Sequence, residues 1–65
     1  MIDVPALSKR IAADLMVDLR SGKLAKVGIE EVREAIAKET ANLSLDPWTI
    51  ESLEIRTLRA FISGV

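Results

Sequence analysis

The chain has 65 residues, 49% of them apolar, and a formal net charge of −1, which leaves room for one small domain over residues 1–65 and none for a second. It contains no cysteine, histidine or tyrosine, so disulfide staples, thiolate metal sites and the commonest general base are excluded. No apolar run approaches the ~20 residues that span a bilayer, and the start lacks a basic region followed by an apolar one and a cleavage site; the expectation is a soluble, cytoplasmic protein with no membrane partner.

The first element is predicted as a helix over about residues 5–20, where Leu7, Ile11, Leu15 and Leu19 recur every four positions with Ala12 and Met16 on the flank, the period of one helical face. Pro5 suits the first turn, because its missing N–H has no intrahelical partner there. Ser21-Gly22 is the expected stop, since glycine readily takes the left-handed conformation that closes many helices. Lys23 to Gly28 is a connector in which Leu24 and Val27 permit at most one brief extended piece.

A second helix is predicted over about residues 29–42, with Val32, Ile36, Thr40 and Leu43 on a narrow stripe and Glu30, Glu31 and Glu34 loading its start with negative charge, which the helix dipole favours. Glu34 and Lys38 are spaced for a helical ion pair. Residues 42–47 form the next break. Pro47 disfavours a helical conformation at Asp46 and leaves that aspartate suited to cap a third helix over about residues 47–63, closed near Gly64. The fold class is therefore all-α: a compact three-helix bundle, with helix-turn-helix-like connectivity possible.

Helix three carries more apolar surface than one core needs. At ~100° per residue, Ile50, Leu53, Thr57, Ala60 and Phe61 share one arc, and Trp48, Ile55, Leu58 and Ile62 a second, separated from the first by Glu51 and Glu54. Helix one repeats this weakly, with Ala13 and Val17 off its main face. Either helix three is a central helix covered on both sides, or its second arc binds another protein or a second copy of the chain; Trp48 fits an anchor of that contact and equally a plug at the end of the core. The expected protein-binding set is Trp48, Ile55, Leu58, Ile62 and Val17.

Charge is uneven along the chain. Residues 9–26 hold five basic and two acidic groups, residues 30–54 two basic and seven acidic ones. Lys9, Arg10, Arg20, Lys23 and Lys26 are the candidates for contact with nucleic acid or an acidic partner. A small helix-turn-helix regulator binding DNA is the alternative function, opposed by Glu30, Glu31 and Glu34 on helix two and by Glu51 and Glu54 on helix three, which a polyanion would repel.

Catalysis is not expected, and neither is a cofactor or a metal. Ser21-Gly22-Lys23 matches the end of a phosphate loop, but the upstream glycine is missing and Leu24 replaces the metal-binding hydroxyl. Asp14 with Asp18, and Glu30 with Glu34, stand one helical turn apart without further convergent oxygen ligands. Asp18 borders the apolar face of helix one, where it could accept from an arginine or a backbone N–H.

Val32-Arg33-Glu34-Ala35-Ile36, followed by Asp46 and Ile50, resembles the carboxyl-terminal helices of flagellar anti-sigma factors over less than a third of the chain. Glu39-Thr40 replaces the glycine-containing turn of that family, so the resemblance carries over no activity and no residue roles. The function expected from the residues themselves is that of a small helical regulator or adaptor, such as a bacterial inhibitor or antiactivator, acting by occupying a surface on another protein.

Overall fold

The computed structural model describes residues 3–63, which form three helices in chain order: α1 (Val4–Ser21), α2 (Ile29–Glu39) and α3 (Pro47–Ile62). No strand occurs among the described residues, and the Lys23–Gly28 connector is irregular. The radius of gyration is 11.1 Å, near the ~10.7 Å of a compact chain this long. The most extensive helix contact is α1 on α3, and α2 packs across both.

Each helix starts and stops for a local chemical reason. The Asp3 side chain accepts from the Ala6 N–H at 3.2 Å and Pro5 sits in the first turn of α1, satisfying a donor that would otherwise have no partner. Gly22 ends that helix at φ +87°, with its N–H on the Leu19 carbonyl. At the start of α2 the Glu31 carboxylate reaches back to accept from the Gly28 N–H at 2.6 Å. Asp46 caps α3 by accepting from both the N–H and the hydroxyl of Thr49. At the other end the Ser63 N–H and hydroxyl donate to the Arg59 carbonyl. Gly64, the expected stop, lies outside the described residues.

The core consists of Ile11, Ala12 and Leu15 from α1, Val32 and Ile36 from α2, and Leu53 from α3. Val4, Leu7, Leu24, Val27, Ala35, Leu45, Leu58 and Phe61 pack around it. The two connectors thus contribute apolar cover, as a domain with so little interior requires. Three polar residues are also buried. The Ser8 hydroxyl donates to the Pro5 carbonyl and that of Thr40 to the Ile36 carbonyl, whereas the Thr57 hydroxyl has no partner.

Two expectations need correction here. The second helix ends at Glu39, not near residue 42, because Thr40 gives both its N–H and its hydroxyl to Ile36 and the chain turns at once, with the Leu43 N–H on the Thr40 carbonyl. Leu43 therefore leaves the helical stripe and stands 48% exposed. Glu34 and Lys38 do not pair; the ion pairs among the described residues run between helices, Arg10 to Glu39 at 2.5 Å and Arg33 to Glu54 at 3.2 Å.

Candidate protein-interaction face

The sequence of α3 divides its surface in two. Leu53 and Thr57 are fully buried against α1 and α2, and Ile50, Ala60 and Phe61 are half-buried beside them. On the opposite side Trp48, Ile55 and Ile62 are 80%, 51% and 75% exposed. These three follow at intervals of seven residues, so on a 3.6-residue helix they form a nearly straight apolar stripe about 21 Å long, roughly 180° from the core. No glycine or proline interrupts residues 48–62. The cap at Asp46 fixes the start of the helix, and with it the place of Trp48 in the first turn.

Leu58 does not belong to this stripe. It is half-buried and packs against the core, because its helical position lies roughly 60° from the Ile55 line, toward Phe61. Val17 is 61% exposed, but it borders a groove between α1 and α2, whereas Ile55 borders one between α1 and α3. The two residues are on different sides of α1. The possibility that α3 is a central helix sealed on both faces is also corrected: it touches both other helices, yet its outer stripe stays open.

The expected basic set is dispersed. Arg10 is engaged with Glu39, and Arg20 lies ten residues further on, about 15 Å along α1. Lys23 and Lys26 follow in the connector, both exposed. Lys9 instead converges with Arg56 and Arg59 on the α1–α3 groove, about 380 Å³ in volume, whose lining holds Ser8 and Ser52 but no acid. Sequence spacing could not bring Lys9 to the α3 arginines; their meeting follows from the packing of α1 on α3.

The α1–α2 groove, about 300 Å³, is its electrostatic opposite. It is lined by Ile11, Leu15 and Leu24 together with five carboxylates, Asp14, Asp18 and Glu34 among them, and one cation, Lys38. Among the described residues the Asp18 carboxylate accepts no hydrogen bond; its backbone carbonyl takes the Leu24 N–H and the Ser21 hydroxyl. No group of three or more carboxylates is arranged to hold a metal ion among the described residues. The Asp46 carboxyl titrates below its ordinary range, chiefly because the Thr49 hydroxyl donates to it. No described helix is long and apolar enough to cross a membrane.

The connector between α2 and α3 runs from Thr40 to Asp46, seven residues, against the 3–4 of a helix-turn-helix. Comparison of the chain with models of protein families, with curated proteins and with solved structures gives no match.

Proposed function

We propose that this chain is a small interaction module of the cytoplasm, a regulator or adaptor of the inhibitor or antiactivator kind, which works by laying the outer face of α3 on another polypeptide. The observation that carries the reading is the Trp48–Ile55–Ile62 stripe, three large apolar side chains in register along one helix and exposed to solvent. Scattered apolar residues on a surface are ordinary; an aligned series headed by an exposed tryptophan is the pattern of a helix that docks along its length. The mechanism is steric: the face excludes water from its counterpart and covers whatever that counterpart would otherwise bind.

The test is affinity capture from the native cell with wild type and Ile55→Asp in parallel, each checked for helicity by circular dichroism. A partner held by wild type and lost with Ile55→Asp supports the reading; equal recovery by both overturns it. Leu58 is a poor probe, because a charge there would enter the packed side of α3.

The alternative of DNA binding draws on the convergence of Lys9, Arg56 and Arg59 in a groove without acids. Its test is a mobility-shift titration at low salt, where attraction to phosphates is strongest. Retardation that is lost on Arg56→Glu favours it, and absence of retardation removes it.

A further inference from the structure

We infer that the occupant of the α3 stripe is a second copy of the same chain, packed antiparallel so that a two-fold axis passes level with Ile55. This rests on the reading of the stripe as an interaction face and names the partner.

The exposed side of α3 is complementary to itself when reversed. Trp48 lies seven residues before Ile55 and Ile62 seven after. Antiparallel pairing about Ile55 sets each tryptophan against the other copy's Ile62 and brings the two Ile55 side chains together. The large indole then meets a smaller aliphatic group at both ends. A repeat of seven is also the spacing that keeps one helix in contact with another over several turns.

Charge selects the same arrangement. Glu51 is four residues before Ile55 and Arg59 four after, on either flank of the stripe. Both are exposed, and neither joins an ion pair among the described residues. Reversal of the second helix brings each Glu51 level with the Arg59 of the other copy, giving two equivalent ion pairs. Parallel packing would instead oppose Glu51 to Glu51, Arg59 to Arg59 and tryptophan to tryptophan. A two-fold contact uses one patch on both partners, so the patch must match its own reverse, and this one does in both shape and sign.

A single-helix seam is at the small end of specific interfaces, so the dimer is expected to be reversible. Sedimentation equilibrium of the purified full chain, from low micromolar to near-millimolar concentration, should show monomer passing to dimer. Glu51→Arg and Arg59→Glu should each weaken association roughly tenfold, since each turns two attractions into two repulsions, with helicity unchanged. An equimolar mixture of the two variants should recover the wild-type affinity, because in the mixed dimer every 51–59 contact again joins opposite charges. Ile55→Asp should abolish the dimer.

A wild type that stays monomeric, a dimer indifferent to Ile55→Asp, or a mixture no stronger than its components would each overturn the inference. A monomer that nonetheless captures a cellular partner through Ile55 would sink the dimer and leave the interaction module standing. A monomer with capture indifferent to Ile55 would remove both.

Discussion

Thr57→Val should stabilise this protein, and the size of the gain follows from one unpartnered atom. Thr57 is fully buried in α3 and its hydroxyl makes no hydrogen bond. Removing a hydroxyl from water without replacing its hydrogen bonds costs about 1–3 kcal/mol. Valine keeps the shape and the branched β-carbon, so rotamer restriction and helix propensity hardly change, and a methyl group takes the place of the orphaned oxygen. In a domain this small 1 kcal/mol corresponds to roughly 4–8 °C in melting temperature, so a rise of at least about 4 °C, and up to about 24 °C, is expected. Thermal unfolding followed by circular dichroism, at fixed low protein concentration to hold any association constant, measures it. Thr57→Ser is the control: it keeps the hydroxyl, loses the methyl and should melt lower than wild type. If Thr57→Val melts at or below wild type, the hydroxyl is in fact bonded, with the Leu53 carbonyl one turn earlier as the natural acceptor, and the reasoning fails.

Three further outcomes follow from the caps and the ion pairs. Gly22→Ala should lower stability by about 1 kcal/mol, read by urea titration, because Gly22 sits at φ +87° where a β-carbon is strained even though nothing crowds it. The depressed carboxyl of Asp46 means that its capping contribution is complete above its unfolded value of 3.8 and is lost as pH falls through the lower folded value; melting curves of wild type and Thr49→Val should converge toward the acid end and separate at neutral pH. The Arg10–Glu39 pair, exposed on the arginine side, should show a double-mutant coupling of at most about 1 kcal/mol that shrinks in high salt; a larger, salt-insensitive coupling would mean that the pair is buried in solution.

The parts of the fold that the sequence made legible are those governed by short-range rules. Pro5, Gly22, Asp46 and Pro47 mark helix ends through chemistry confined to a few neighbouring residues, and the four-residue recurrence of Ile11 and Leu15 identifies a buried face without knowledge of what covers it. Thr40 is ambiguous in the sequence because a threonine on an apolar stripe fits a continuing helix as well as an ending one; only the hydrogen bond from its hydroxyl to Ile36 distinguishes them. Leu58 packs on the core side, against the sequence expectation, because periodicity gives an angle around the helix but not the width of the neighbours, and the core reaches far enough around α3 to claim it. The meeting of Lys9 with Arg56 and Arg59, like that of Arg10 with Glu39, depends on how helices distant in sequence pack, and no local pattern encodes it.

On the proposed function, the division of α3 into two faces separates folding from association. Leu53 and Thr57 hold the helix to the domain while Trp48, Ile55 and Ile62 point away, so a substitution on the outer face leaves the contacts that maintain the fold untouched. That separation is difficult to achieve in a chain of this length. Every apolar residue left outside is one fewer in a core that is already near the lower limit for independent stability. Leu24, Val27 and Leu45, drawn from the connectors onto the core, offset part of that loss. They add apolar cover from segments that would otherwise contribute none, which allows one face of the last helix to remain uncovered.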